Sequence, residues 1–269
     1  MTPSEGDWLK GLGESEPSEI MTSFVALPRF VGKRVVSYHP SSNGLLFADH
    51  PSFNVDQWSI VRLLRVWLLL RLSYATDTNS AIKNIETLFE TAELNELVAL
   101  FSSISLLPSR EVWLPRAIDA VRSNMGDVFD AIALANPYPK LYFPESAWNQ
   151  LVLKTIFNAK PLHYIDGLLE RRNKDLARSV SDFIEERWSA GRSFPYMAWS
   201  LVSPFVNESI ILKLNRLMDS GDPIQIQVVA LVCYETSFPS AQDLLLNLPE
   251  LKNEILSGKL SWSNFQESI

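Results

Sequence analysis

Three side chains in the middle of the chain are the strongest candidates for acid–base chemistry. Asp127 and Asp130 lie three residues apart, and His163 follows farther along. On a helix, residues at this spacing occupy neighbouring faces, so both carboxylates can point at one substrate. Imidazole changes charge near neutral pH, which makes His163 the best single proton donor or acceptor. A plainer interpretation fits the same residues, with salt-bridged surface acids and a surface histidine.

Other catalytic signatures are missing from the sequence. The three histidines, His39, His50 and His163, form no helical pair with metal-ligand spacing. No nucleophile elbow and no phosphate-binding glycine loop occurs. The single cysteine, Cys233, lies in the apolar run from Val228 to Tyr234, which is typical of a packed and unreactive thiol. We therefore expect no dedicated catalytic residue, no metal ion and no cofactor.

A second set of polar residues suits the binding of a ligand or a partner. In the segment Asn136-Pro137-Tyr138-Pro139 two prolines fix two φ angles, which holds Asn136, Tyr138 and Tyr142 in place. Trp148 offers an aromatic ring and the neighbouring Asn149 an amide, two groups that could contact a ligand. Structural alternatives exist for each of them: a hinge, amides bonded to the backbone, or Arg122 paired with Asp119. The candidate ligand- or partner-binding residues are Arg122, Asn124, Asp127, Asp130, Asn136, Tyr138, Trp148, Asn149, Lys154 and His163.

These candidates lie on two predicted helices. Apolar residues recur every three or four positions from Leu114 to Ile132, which predicts one long helix. The prolines after Asn136 end it, because the residue before a proline is pushed out of the α region. Glu145 to Phe157 forms the second helix. We expect the two helices to meet at a rigid elbow.

The rest of the chain also predicts helices. Trp58 to Tyr74 reads as a buried helix, capped by Asn54 or Asp56, whose arginines reach outward along their alkyl stems. Asp77 caps the next helix. Two helix pairs are predicted in the C-terminal part, Phe205–Met218 with Asp222–Tyr234 and Pro239–Leu246 with Pro249–Leu256. This pattern predicts an all-α protein of stacked antiparallel helices, in the form of a HEAT- or armadillo-like right-handed superhelix.

Composition limits the range of functions. The 269 residues are 46% hydrophobic, enough to form a core. A net charge of −7 argues against a sequence-independent grip on nucleic acid or an anionic membrane. The longest uncharged piece of the most apolar segment, Val66–Leu70, is too short to span a membrane, and no secretory signal is evident. We predict a cytoplasmic protein with a mobile acidic leader at residues 1–20 and a single helical domain at 21–269.

Five segments of the chain resemble the EboA family. They read FVALPRFVGK from Phe24, VRSNMGDVFDAIALANPYP from Val121, AWNQLVLKTIF from Ala147, NKDLARSVSDFIEERWSAGR from Asn173 and SPFV from Ser203. The resemblance implies a role in metabolite traffic, including movement of precursors toward the periplasm. It also implies gene-cluster partners that include a UbiA-type membrane prenyltransferase. The family name brings no established catalytic residues.

Three hypotheses follow. The first is a non-enzymatic binding or adaptor protein in the intracellular traffic of a secondary metabolite or prenylated precursor toward the membrane or periplasm. Its partners would be a small hydrophobic or prenylated metabolite and other proteins of the gene cluster. The second is an all-helical enzyme that modifies a small molecule with Asp127, Asp130 and His163. The third is a scaffold for the membrane prenyltransferase, which would show a large exposed apolar patch.

Overall fold

Helices and the turns and loops between them make up the part of the chain that the computed structural model describes, residues 3–12, 15–37 and 53–265. Within these ranges the β-type pairing is confined to an isolated bridge between Val35 and Ser59. The prediction of an all-α protein is therefore confirmed. His39 and His50 lie outside the described residues.

Contacts divide the chain into two compact units, Met1–Pro144 (unit 1) and Glu145–Ile269 (unit 2). The helices of unit 1 are α1 Pro3–Gly11, α2 Pro17–Ala26, α3 Ile60–Ala75, α4 Thr78–Thr91, α5 Leu94–Ser103, α6 Leu114–Arg122, α7 Gly126–Ala133 and α8 Tyr138–Tyr142. The helices of unit 2 are α9 Glu145–Phe157, α10 Lys174–Ser189, α11 Glu208–Asp219, α12 Pro223–Glu235, α13 Pro239–Leu246 and α14 Pro249–Leu256. The single domain and the right-handed superhelix stay predictions.

The prediction of one long helix from Leu114 to Ile132 is wrong, because α6 ends at Arg122 and α7 begins at Gly126. Ser123 and Met125 between them have extended ψ angles. The Ser123 hydroxyl accepts a hydrogen bond from the backbone N–H of Met125 at 3.1 Å. Such short-range side-chain bonds offer the backbone an alternative to helical hydrogen bonds. At Ser123 the backbone adopts this alternative and the helix is interrupted. Both helices pack against one another, so the apolar spacing continues across the break.

Helix α3 is the central helix of unit 1, packed against α2, α4 and α5. Its N-cap is Ser59, whose side chain accepts from the N–H of Arg62, so the predicted caps Asn54 and Asp56 are wrong. Asp77 caps α4 as predicted, by accepting from the N–H groups of Asn79 and Ser80. In both α3 and α4 the residue immediately before the helix therefore acts as the N-cap.

The prediction that the α3 arginines reach outward is wrong for Arg65, whose side chain is only 4% exposed. Its guanidinium donates to the Phe24 carbonyl at 3.0 Å and to Glu96 Oε1 at 2.9 Å. Glu96 in turn accepts the N–H of Glu93 in a capping box at the start of α5. Burial lowers the pKa of Arg65, while the charge of Glu96 opposes that shift. One buried ion pair thus joins α2, α3 and α5.

The acidic leader contains helix α1, which is joined to residues that follow α2. Glu5 is buried and accepts from the Arg34 guanidinium at 2.9 and 2.6 Å. The ring of Trp8 stacks on Phe30 with centroids 4.8 Å apart. The mobility of the leader stays a prediction.

Unit 2 confirms both predicted C-terminal helix pairs. Between α11 and α12, Gly221 has a φ of +69°, which glycine adopts without steric cost. Asp222 then caps α12 by accepting from the N–H of Ile224, and Pro223 occupies the first helical position. Helices α13 and α14 have the predicted bounds and pack against α12.

Arg172 joins four segments of unit 2, although its sequence neighbourhood reads as a surface charge run. Its guanidinium donates to the carbonyls of Leu169 and Ser200 at 2.8 and 3.0 Å. It also donates to the Ser203 hydroxyl at 3.2 Å and to Glu235 of α12 at 2.5 Å. The arginine fork suits such multiple acceptors. Arg172 therefore fixes the loop before α10 against α12.

We predict that Arg65→Met destabilises the protein by about 3–5 kcal/mol, because Glu96 is left buried and unpaired. Urea unfolding at neutral pH measures the effect. Adding Glu96→Gln should restore part of the loss by removing the isolated charge. Arg178→Met is the control, since the exposed Arg178–Asp175 pair should contribute less than about 1 kcal/mol. Equal losses in Arg65→Met and Arg178→Met would contradict the role of the buried pair.

We also predict that Cys233 is unreactive in the folded protein. The residue is fully buried in α12, and burial raises the pKa of its thiol to about 12. The thiol is therefore neutral and enclosed at mildly alkaline pH, whereas the thiolate is the reactive form. Ellman's reagent should label it only after guanidinium chloride unfolds the chain. Rapid stoichiometric labelling of the native protein would disprove this expectation.

Candidate functional site

The two predicted helices do not meet directly at one elbow, because the short helix α8, Tyr138–Tyr142, lies between α7 and α9. The connection between α7 and α8, called the elbow from here on, is built around Asn136, which is only 3% exposed. Its amide donates to the carbonyls of Phe101 and Ala131 at 3.1 and 2.9 Å. Its Oδ1 accepts the N–H of Tyr138 at 3.0 Å. The preceding Ala135 has a φ of +49°, an uncommon left-handed conformation for a residue with a Cβ. Asn136 thus satisfies buried backbone groups and holds the elbow in shape.

Tyr138 links this elbow to the segment before α6. Its ring is fully buried, and its hydroxyl donates to the carbonyl of Arg110 at 2.5 Å. Its ring centroid lies 4.8 Å from that of Tyr142. Burial raises the pKa of Tyr138, and the neighbouring Tyr142 and Glu111 add to the shift. Tyr138 therefore stays a neutral hydrogen-bond donor that fixes the position of Arg110.

A cleft of about 270 Å³ opens beside this contact in unit 1. Its walls come from the turn that begins the 3₁₀ segment Arg110–Trp113 and from the end of α8. Ser109 in that turn has a φ of +52°. Such left-handed residues cost free energy and persist where the surrounding structure fixes them. The cleft is lined by Pro108, Ser109, Arg110, Glu111 and Tyr142.

Residues of both charges and a tyrosine line the cleft. Arg110 contributes a guanidinium and Glu111 a carboxylate. Among the residues that the structure describes, none bonds to the carboxylate of Glu111 or to the hydroxyl of Tyr142. Concave sites with a few convergent polar groups are the usual places for small-molecule binding. We call this the Arg110–Tyr142 cleft.

The predicted acids Asp127 and Asp130 lie in unit 1, near the arginine at the start of α3. Asp127 is exposed and Asp130 half-buried. Burial lowers the pKa of Arg62 to about 10, and the charges of Asp127 and Asp130 oppose that shift. The Arg62 guanidinium stacks on the Trp58 ring at 3.8 Å and donates from Nε to the Ser102 hydroxyl at 2.9 Å. The two carboxylates therefore belong to the charge environment of a half-buried arginine.

Arg122 and Asn124 lie at the exposed junction of α6 and α7. As predicted, Arg122 pairs with Asp119 one turn earlier, at 3.7 Å. Both side chains are largely solvent-exposed, so the pair contributes little to stability.

The remaining candidates lie in unit 2. Trp148 is fully buried, with the Arg171 guanidinium 4.7 Å from its ring centroid. Its indole N–H has no hydrogen-bond partner among the described residues. Burial lowers the pKa of Arg171, and Glu145 opposes that shift. This cation–π contact ties α9 to the loop before α10.

Asn149 is hydrogen-bonded to Asn173, the N-cap residue of α10. Its amide and that of Asn173 exchange two hydrogen bonds, of 3.2 and 2.8 Å, while the Asn173 oxygen caps the N–H of Leu176. Lys154 is half-buried on α9. His163 is exposed and lies against Tyr164 with ring centroids 4.2 Å apart. Of the predicted residues, Asp127 and Asp130 therefore share one environment in unit 1, whereas His163 belongs to unit 2.

Sequence reasoning missed Arg110 and Glu111 as candidate binding residues. Pro108 reads as the end of a helix, and nothing in the local sequence signals the left-handed turn at Ser109. The hydrogen bond from Tyr138 to Arg110 spans 28 residues, beyond the reach of helix periodicity. One usable signal was present, because the expectation that the prolines hold Tyr138 and Tyr142 in place identifies one wall of the cleft.

In the part of the chain that is described, no helix is long and apolar enough to cross a membrane. Fold and cleft together define an all-α protein with a small surface cleft. The chain belongs to the EboA family: the family model described as "Metabolite traffic protein EboA" matches residues 11–203. Searches with this chain match no curated protein and no solved structure.

We predict that Tyr138→Phe destabilises unit 1 by about 1 kcal/mol, because the carbonyl of Arg110 loses its buried donor. Tyr142→Phe is the matched control, since it removes a hydroxyl that no described residue bonds. Urea midpoints compare the two variants. A loss for Tyr142→Phe as large as that for Tyr138→Phe would contradict the positioning role of the Tyr138 hydroxyl.

Proposed function

We propose that this protein is a non-enzymatic binding or adaptor protein in the intracellular traffic of a secondary metabolite or its precursor toward the membrane or periplasm. It binds the metabolite at the Arg110–Tyr142 cleft. The observation that carries this proposal is a preformed cleft with a guanidinium, a carboxylate and an unbonded phenol hydroxyl, held by the buried Tyr138. The family description supplies the association with metabolite traffic.

Two exposed apolar residues next to the lining residues in sequence lead us to propose an amphiphilic metabolite. Val112 and Leu141 adjoin the lining residues Glu111 and Tyr142 in the chain and are 44% and 55% exposed. We propose that these two exposed side chains contact the apolar tail of a molecule whose polar head lies in the cleft, since such contact removes apolar area from water. A prenyl chain is one such tail. The polar head lies in the cleft and the tail runs over the neighbouring apolar side chains.

The enzyme hypothesis has less support. Acid–base chemistry requires its groups to lie within hydrogen-bonding reach of one reacting molecule. Asp127 is exposed, Asp130 lies near a stacked arginine, and His163 is exposed beside Tyr164. The Arg110–Tyr142 cleft includes none of these three side chains. Binding is therefore the better-supported role.

We predict that the full-length protein, purified under native conditions from cells that make it naturally, carries a small-molecule adduct visible by native mass spectrometry. Glu111→Trp should abolish the adduct, because the indole fills part of the cleft. Glu250→Trp is the matched control, an exposed acid at the start of α14 in unit 2. Its adduct should equal that of the wild type.

Two results would contradict the proposal: an adduct that Glu111→Trp retains in full, or a wild-type protein that carries none. Circular dichroism of both variants shows whether the fold is intact.

A further inference from the structure

We infer that Phe30, Gly32 and Arg34, in the segment that follows α2, form a docking site for a partner protein. The partner presents a helix with a carboxylate and an aromatic ring three residues apart. Helix α1 occupies this site within the folded chain through Glu5 and Trp8, so the partner must displace α1. We call the three residues the Arg34 site. It shares no residue with the cleft described above and does not depend on the proposed function.

The contacts made by α1 show which chemical groups the Arg34 site binds. The Arg34 guanidinium donates to Oε1 and Oε2 of Glu5 at 2.9 and 2.6 Å, and the N–H of Gly32 donates to Oε1 at 3.1 Å. Paired donation from a guanidinium fits the planar geometry of a carboxylate. The ring of Trp8 stacks on that of Phe30 with an interplanar angle of 12°. The site therefore binds one carboxylate and one flat ring.

The attachment of α1 depends on few side chains. Glu5 and Trp8 are three residues apart, which places them on one face of the helix. Asp7 and Lys10 are largely exposed and pair with each other at 3.7 Å. Among the described residues, no other helix packs closely against α1. Segments with few buried apolar contacts open at low free-energy cost, so we expect α1 to be displaceable.

The backbone of the Arg34 site is held by contacts that do not involve α1. The carbonyl of Arg34 accepts from the N–H of Ile60 at 2.9 Å, and the N–H of Val36 donates to the carbonyl of Trp58 at 2.7 Å. The site therefore keeps its shape when α1 leaves, which reduces the ordering needed to bind a partner. The family match, residues 11–203, contains the Arg34 site but leaves out all of α1 except its last residue.

Local charge favours an acidic partner helix. Residues 27–36 include Arg29, Lys33 and Arg34 but no acid, although the whole chain carries a net charge of −7. Arg29 and Lys33 are exposed. Complementary charge speeds association and selects among partners. Helix α1 itself has the expected character, because its two acids outnumber its single lysine.

The probe for this site is a fluorescein-labelled peptide of residues 1–12, held helical by a lactam between Gly6→Glu and Lys10. These positions suit the bridge, because a Cβ at Gly6 would meet nothing within 4 Å and the Lys10 side chain is 83% exposed. Fluorescence anisotropy measures binding to the full-length protein. We expect the double variant Glu5→Ala/Trp8→Ala to bind at least tenfold more tightly than the wild type, whose tethered α1 competes at a high effective concentration.

Matched variants separate the site from general charge effects. The protein variant Asp7→Ala/Lys10→Ala keeps both contacts of α1 and should bind the peptide as weakly as the wild type. In the peptide, Glu5→Gln should weaken binding to the double variant at least tenfold, whereas Asp7→Asn removes the same charge and should not. Adding Arg34→Gln to the double variant should abolish binding. Circular dichroism and urea midpoints show whether the protein variants are folded.

Three results would overturn this inference: no measurable binding to the double variant, equal binding to the double variant and the wild type, or equal losses from Glu5→Gln and Asp7→Asn in the peptide. If the double variant does not fold, hydrogen–deuterium exchange of the wild type decides the question. Excess peptide should raise the exchange of the α1 amides and leave those of α3 unchanged. Unchanged exchange in α1 would show that the peptide does not displace the helix.

Discussion

The buried ion pair between Arg65 and Glu96 is the interaction on which the rest of unit 1 depends. Both charges are almost completely removed from water, which is costly unless every partner is present. The carbonyl of Phe24 and the N–H of Glu93 supply the additional hydrogen bonds. The pair therefore specifies one relative placement of α2, α3 and α5, because any slip would leave a charge unpaired in the core.

A series of hydrogen bonds connects helix α5 to the cleft. Close to its C-terminal end this helix carries Phe101, whose carbonyl accepts from Asn136, and Asn136 in turn bonds the N–H of Tyr138. The hydroxyl of Tyr138 then holds the carbonyl of Arg110 at the cleft. Each step in this series satisfies a polar group that burial would otherwise penalise. The wall of a surface cleft is thus positioned by a continuous series of bonds from the core.

Structural features that depend on nearby residues could be predicted from the sequence. Helix α9, the C-terminal helix pairs and the Asp77 cap follow from periodicity, proline positions and capping preferences. The break at Ser123 was missed because two helices that face one core preserve the apolar spacing across a turn. Arg65 was misread because its acid partner lies 31 residues away. Arg110 and Glu111 were missed for the same reason, since only a distant tyrosine and an unusual φ angle mark their turn. Ligand binding by the predicted set stays a prediction.

The distribution of polar groups in unit 1 separates two roles. The side-chain polar atoms of Asn136 and Tyr138 are all bonded to backbone groups, so these side chains hold the shape of the elbow and have little left to offer a ligand. Glu111 and the hydroxyl of Tyr142 differ, because no described residue bonds them. A carboxylate solvated at the mouth of a cleft retains its capacity for a cation, since desolvation is deferred until a ligand replaces the water. The elbow motif therefore acts as the support, whereas Glu111 and Tyr142 keep side-chain oxygens that no described residue bonds.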